Sequence, residues 1–566
     1  MDDQQVRPAV AIPLALLFAV AGGLLRFSHL GSMPLADAEA LQAMAAHSLA
    51  AGIKPAAVTE GFYVSLTGLF FWLFGSGETI ARLVPAMAGW AFSLVPALFR
   101  RQLGDVASLV LLGLFAFDPS LIAVSRSVND VVLPLLSTSL LVYALISERP
   151  RFAGFALAMA MLGGPMGWLS LAGLGLGLGA HSLFKQKPFA AIVVDHVKKQ
   201  GLVILLSASI SIVAFGGGLY IQPAMLDVPF NGLASIFSRF SLPTGPTMFL
   251  PGLGLVFYEL FALALGICGI SLLSKNSARW FWLYAFSLFM FIATYFQPEQ
   301  NTIALAWITP LLLVGGSMFV AEFLTVRPLF DRETLGMFIF SMVVLVFMGL
   351  NYLSAALAQV DPSVTQLRWT VMIGSFTMLA ASLVLVTYGW SFSVAWRGLI
   401  SALAVFLFAV NINAAWSVSH LRAGNTQELT DATTRITDGN VLKTQLEAVN
   451  AWNFGSGLNE RVSVVGADSP ALLWQLRDPS VKFLPGMSNP EDLGDIIITN
   501  PDMVDEQLEK AYRGQGFIWS SEVAYEALTF SDWLKWSVSR NFPVNEQKLI
   551  LWIKADRFID RQNNPE

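Results

Sequence analysis

The sequence predicts a polytopic α-helical membrane protein with about thirteen transmembrane helices and a C-terminal extracytoplasmic α/β domain. Three observations predict it. Apolar residues fill 55% of the 566 positions and charged residues 13%, about half the charged share of an average soluble protein. Mean hydropathy is +0.61. The charge is also divided: residues 1–416 hold 20 Lys and Arg against 18 Asp and Glu, and residues 417–566 hold 14 against 21. Residues 1–416 therefore read as a membrane body and 417–566 as an ordinary water-soluble domain. A soluble enzyme, a disordered chain and a secreted disulfide scaffold are excluded. The acidic tail argues against nucleic acid as a partner. Cys268, the single cysteine, lies in an apolar run and reads as a small core residue.

A span needs about 20 mostly apolar residues. Thirteen segments are candidates: 9–29, 80–99, 105–122, 129–147, 151–165, 167–184, 200–220, 251–273, 279–296, 302–322, 335–355, 369–388 and 397–416. The first has no small-residue cleavage site and reads as a retained span. The fifth holds Gly163, Gly164 and Pro165, which predicts a break. Segment 62–74 is apolar but only about two-thirds of a span. Basic residues decide its place, because Lys and Arg accumulate on the cytoplasmic side. With 62–74 lying at the membrane surface, fourteen Lys and Arg fall on one face. Six fall on the other: Arg26, Lys54, Arg82, Arg126, Arg239 and Arg368. The N-terminus is then cytoplasmic in a multi-pass plasma-membrane protein, and residues 417–566 lie outside. The glycine-rich run 171–180 sits in a span with no strand before it. Gly173 and Gly177 are four apart, which suits close helix packing rather than a nucleotide loop.

The outer face carries the unusual polar residues. Loop 30–79 holds interfacial helices, and Asp37 and Glu39 open the first of them. Asp37 reads either as a helix cap or as a carboxylate at the water–lipid boundary, acting as base or metal ligand. Glu60 precedes the second helix. His47, near the acidic pair, reads more readily as incidental than as a ligand. In 118–130, Arg126 and Asp130 are four apart, on one face if the segment is helical. They read either as a structural ion pair or as a phosphate-holding arginine with its partner. Gln297, Glu299 and Gln300, in loop 295–302, read either as a satisfied polar loop or as the lining of a cavity that Tyr258 and Glu259, inside the eighth span, could also face. No P-loop, HExxH or GxSxG is present.

The order of these pieces resembles the GT-C membrane glycosyltransferases of the family 39 group, which includes protein O-mannosyltransferases and lipid A aminoarabinose transferases. The matching segments are ADAEALQAMAA (36–46), GFYVSLTGLFFWLFG (61–75), ARLVPAMAG (81–89), DPSLIAVSRSVND (118–130) and QPEQNTIALAWITPLLLVGG (297–316). The family usually has adjacent Asp-Glu in the first loop, where Ala38 here separates Asp37 from Glu39. It usually has His-Pro-Pro where Thr59-Glu60-Gly61 stands, and a His/Arg-Tyr pair that the late loop lacks. The resemblance implies transfer of a sugar from a polyprenyl-phosphate carrier to a lipid, glycan or protein acceptor at the outer face. Asp37 would serve as general base and Glu39 would assist. A divalent metal, the one cofactor left open, would fall to the same two residues. Arg126, with Arg82, would neutralise the leaving phosphate. Glu60, Asp130, Tyr258, Glu259, Gln297, Glu299 and Gln300 would line the sugar and acceptor pocket. Two rivals stand beside this: a non-catalytic accessory subunit of the same fold, and a flippase or transporter of lipid-linked sugar.

In the tail, RVSVVG (461–466), DIIITN (495–500) and KLILWIKAD (548–556) read as strands. SPALLWQLRD (469–478) reads as a Ser-capped helix. The order predicts a parallel or mixed sheet. The turn from Gly466 to Ser469 is a weak phosphate-loop candidate. Trp533 and Trp536 read as a packed face rather than a sugar platform.

Overall fold

A computed structural model describes residues 8–56, 58–182, 188–219, 221–240, 249–275, 277–296, 303–325, 331–357, 362–421, 435–454, 462–477, 481–486, 494–503, 506–525 and 528–555. All thirteen expected segments are helical. Length and apolarity, however, qualify seven of the described helices to cross a membrane, or nine if each of two bent pairs is one span. Thirteen crossings are not reached on that measure. The reason is length: the Val132–Ile146 and Pro150–Met161 helices have 15 and 12 residues, about 18–23 Å at 1.5 Å per residue, against a hydrocarbon core of about 30 Å.

The two bent pairs meet each other. Helices Asp105–Ala116 and Pro119–Arg126 join at 54°, and Leu250–Phe257 and Leu260–Ile270 join at 88°. A break inside a membrane body frees backbone groups that need partners. The carbonyls of Phe115 and Ala116 accept from Arg26 at 3.0 and 3.1 Å, and that of Phe117 accepts from Asn411 at 2.9 Å. On the other side of the break, Asp118 caps the Leu121 N–H at 2.9 Å. Glu259 takes the Ser120 N–H at 3.1 Å and the Ser120 hydroxyl. Asp118 and Glu259 lie close to each other at this junction. Glu259 is thus fixed at a helix junction.

The expected break at Gly163, Gly164 and Pro165 is present: one helix is Pro150–Met161 and the next Pro165–Ser182. In the latter, a Cβ on Gly173 would come within 2.7 Å of the Phe289 ring, and one on Gly177 within 2.7 Å of the Trp282 carbonyl oxygen. The glycines are there for close packing, as read from the sequence. Cys268 corrects its reading, since it is exposed on the outside of the helix bundle.

The C-terminal sheet has strands β1 Arg435–Ile436, β2 Val462–Val465, β3 Val481–Leu484, β4 Ile496–Thr499, β5 Tyr512–Val523 and β6 Val544–Lys554. Their order is β1-β5-β6-β4-β2-β3. The pairs β3–β2 and β2–β4 are parallel and the others antiparallel, so the sheet is mixed. β2 and β4 are buried at every residue, which is why their apolar runs were legible. β5 escaped because its first half, with Gly514 and Gly516, is mostly exposed.

This sheet is anchored to the helical body at two places. Helix Pro470–Gln475 packs on helix Asp37–Ala50. The fully buried Trp474 stacks on Phe71 at 5.7 Å, and Arg477 covers its other side at 4.2 Å. At the second place Trp536, fully buried, lies 6.1 Å from Tyr258 and stacks on Phe542 at 5.1 Å. The Arg540 guanidinium lies over both Trp536 and Tyr258. The tryptophans at 533 and 536 are a packed face.

Candidate functional site

The structure separates the acidic residues of the first loop into two groups. Glu39 is buried and bound on both oxygens. Oε1 accepts from Arg82 Nε at 3.0 Å and from the Val128 N–H at 2.8 Å, and Oε2 accepts from Arg82 and from the Ala36 N–H at 3.1 Å. Arg82 spends its remaining donors on the carbonyls of Leu30, Met33 and Pro34 at 2.9–3.0 Å. A guanidinium has five N–H donors; here all five point at protein, which leaves none for a phosphate. The pair ties loop 30–36 and the 127–131 segment to helix Glu78–Leu98. Asp37, the expected base, points its Oδ1 at the C-terminal sheet domain. It accepts from Ser469 Oγ at 2.6 Å and from the Ala471 N–H at 2.9 Å. That contact also accounts for the Gly466-to-Ser469 turn: Ser469 caps its own helix through the Leu472 N–H and docks on Asp37.

Glu60 and Asp130 form the other group. Glu60 is the residue before helix Gly61–Phe74, and the Phe62 N–H bonds the Leu162 carbonyl at the broken Gly163–Gly164 turn. Asp130 lies just beyond helix Pro119–Arg126. Asn129 shapes that turn by accepting from the N–H groups of Val131 and Val132 and donating to Val124 and Ser127. Both side chains come to Gly164. A Cβ there would lie 3.0 Å from Glu60 Cγ and 3.4 Å from Asp130 Cβ, and Gly164 has φ +81°. Glycine is needed on both counts, for the left-handed backbone and for the space. Both carboxylates are buried, at 5% and 3% exposure. Burial, then the nearby Glu60 carboxylate, pushes the Tyr63 phenol up, so it stays protonated and donates to the Ala81 carbonyl at 3.0 Å. Helix Val228–Arg239 roofs this place. Val228 packs on Gly61, and the Pro229 carbonyl accepts from Trp168 at 2.9 Å. A cavity of about 340 Å³ borders it, lined by Lys54, Pro55, Val58, Met225, Asp227 and Asn231 among others.

Arg126 departs from its expected pairing. Helix Pro119–Arg126 ends at this residue, so Arg126 and Asp130 share no helical face. Its Nη1 instead donates to the carbonyls of Leu25 and Ser28 at 3.0 and 2.7 Å, closing the C-terminal end of helix Pro8–Phe27. Beside it stand two histidines that the sequence did not single out. The rings of His29 and His420 meet edge to face at 5.6 Å, and Trp416 stacks on His420 at 4.0 Å. Ser419 donates to the Ala415 carbonyl and so accepts from His420 Nδ1 at 2.8 Å. Arg126 lies close enough to act on both His420 and Arg82.

Of the other expected pocket residues, Tyr258 packs against Trp536 and Arg540, and Glu259 closes the helix junction. The structure brings neither to Glu60 and Asp130. Gln297, Glu299 and Gln300 lie outside the described residues. Among the described residues no group of three or more His, Cys, Asp or Glu is placed to hold a metal ion. Both oxygens of Glu39 are already committed to protein donors.

No family model matches the chain, and no curated protein matches it. Solved structures do. ArnT from Cupriavidus metallidurans bound to undecaprenyl phosphate is similar over 97% of this chain and 99% of its own, at 15% identity and a TM-score of 0.55. ArnT from the same organism in the apo state covers 98% and 100%, at 14% identity and a TM-score of 0.51. The chain is therefore GT-C-like in fold, an integral membrane protein built as the motifs implied.

Proposed function

We propose that this chain is a membrane glycosyltransferase that moves a hexosyl or pentosyl group from a polyprenyl-phosphate carrier to an acceptor at the outer face of the membrane. The observation that carries this reading is the convergence of two buried carboxylates on Gly164, within a GT-C-like fold. That undecaprenyl phosphate is bound by the similar ArnT supports the class of donor. Glu60, two residues beyond Val58 of the cavity lining, takes the proton of the acceptor hydroxyl. The acceptor oxygen forms a bond to the anomeric carbon while the carbon–oxygen bond to phosphate breaks, its electron pair leaving on the phosphate. Asp130 stabilises the positive charge that develops on the sugar. Arg126, flanked by His29 and His420, faces the leaving phosphate. Asp37 and Glu39 hold the scaffold in this scheme, and Arg82 with them.

Glu60→Gln and Asp130→Asn, assayed as purified protein with sugar-loaded undecaprenyl phosphate, test it. Each should lose transfer while retaining the fold; full activity in both would move the chemistry elsewhere. A second reading, a non-catalytic subunit of the same fold, draws on the commitment of Asp37 and Glu39 to protein partners. Co-purification with other membrane proteins, and no transfer from any donor, would favour it.

A further inference from the structure

We propose that Gln42 is a sugar-recognition residue whose side-chain carbonyl accepts a hydrogen bond from a hydroxyl of the transferred sugar. The inference rests on the Glu60–Asp130 reading of the site. Gln42 lies on helix Asp37–Ala50 one turn after Glu39 and is 8% exposed. Glu39 is pinned to the 127–131 segment through the Val128 N–H. The next turn of the same face therefore meets Thr59, directly before Glu60. There Gln42 Nε2 makes a long bond of 3.5 Å to Thr59 Oγ1. Its Oε1 is fully buried and has no hydrogen-bond partner among the described residues. A buried acceptor without a donor is destabilising. The buried neighbours on this helix are Ala40, Ala43, Ala45, Ala46 and Leu49, so packing alone would be served by a Leu or Met. The amide is explained by a ligand rather than by the fold. The class of ligand follows from the groups around it: the carboxylates of Glu60 and Asp130 and the Gln42 carbonyl all accept hydrogen bonds. The unpartnered Gln42 carbonyl needs a donor, and the hydroxyls of a sugar supply one.

The test is thermal unfolding and steady-state transfer by the full-length protein, wild type against Gln42→Met and Gln42→Leu. The probes are undecaprenyl phosphate alone and undecaprenyl phosphate carrying a hexose or a pentose. Without ligand, the variants should unfold a few degrees higher than wild type, because an orphan acceptor has been removed. Bare carrier should stabilise wild type and variants alike. The extra stabilisation given by the sugar should disappear in the variants, with KM rising about tenfold and kcat within about threefold. A lower unfolding temperature in both ligand-free variants, or an unchanged sugar increment, overturns the proposal and leaves the carrier reading standing. No response of the wild-type protein to any carrier overturns both.

Discussion

The two pairs of acidic residues differ in what their oxygens meet. Asp37 and Glu39 sit at the start of one helix and are met by backbone N–H groups, a serine and an arginine, all from the chain itself. Glu60 and Asp130 come from separate segments and converge on a glycine at a broken helix, beside a cavity. The first arrangement lowers the energy of the fold. The second brings two carboxyl groups from separate segments together in a buried place.

The largest expected difference is in catalysis. Glu60→Gln or Asp130→Asn should reduce turnover by roughly 10²–10⁴-fold, whereas Asp37→Asn should leave it within about tenfold, since the contact with Ser469 is remote from the reacting bond in the proposed scheme. Equal losses at all three positions would erase the distinction. Next comes the buried pair. Arg82→Met strands Glu39 and should destabilise the protein by about 3–5 kcal/mol, while Arg82→Met with Glu39→Met should recover much of that. Chemical denaturation in detergent measures both, and an additive double variant would show that the pair is not coupled.

Smaller effects sharpen the same contrast. Gly164→Ala forces a side chain to φ +81° and against Glu60; a loss of about 1–3 kcal/mol is expected, with transfer falling as well. Stable, active Gly164→Ala protein would mean that the two carboxylates do not need their close approach. Asp37→Ala removes a cap from the Ala471 N–H and should cost about 0.5–2 kcal/mol, read as faster hydrogen exchange in helix Pro470–Gln475 with the helical body unaffected.

The smallest effect is a pH dependence of the same docking surface. His47 bonds Ser76 and faces Trp474 edge-on. Burial, then the charge of Arg477, lowers its pKa from the ordinary 6.5. Because the folded value is depressed, the unfolded chain binds more protons in this range. The contribution of neutral His47 is present above pH 6.5 and lost as pH falls below it. Exchange in helix Pro470–Gln475 should quicken on acidification, and His47→Gln should flatten that response. An equal response in the variant would assign the sensitivity to another group.

Much of this architecture was legible in the chain. Apolar runs located all thirteen helical segments, because a residue facing lipid or a helical core must be apolar whatever its neighbours. Gly163, Gly164 and Pro165 announced a break, and Ser469 a cap. The site was only partly legible. Glu60 and Asp130 were singled out one at a time, without sign that they meet. Gln42, His29 and His420 carried no local signal, since a buried amide and an imidazole on a membrane helix look alike whether structural or functional. Glu259 misled for a related reason: a carboxylate in an apolar run marks either function or a helix break, and only the 88° bend with Ser120 at its end tells which.

The sequence by itself determined the membrane body, the separate acidic domain and the strands buried on both faces, because composition and periodicity record transfer from water residue by residue. Tertiary structure decided which charged residues are tied to partners at the domain and loop contacts and which converge at the broken helix. The partners of a carboxylate come from segments far apart in the chain. Asp37 meets Ser469, Glu39 meets Arg82 and Val128, and Glu60 meets Asp130 across Gly164. No local pattern encodes those meetings, so the surroundings of each acid were decided only when the helices packed.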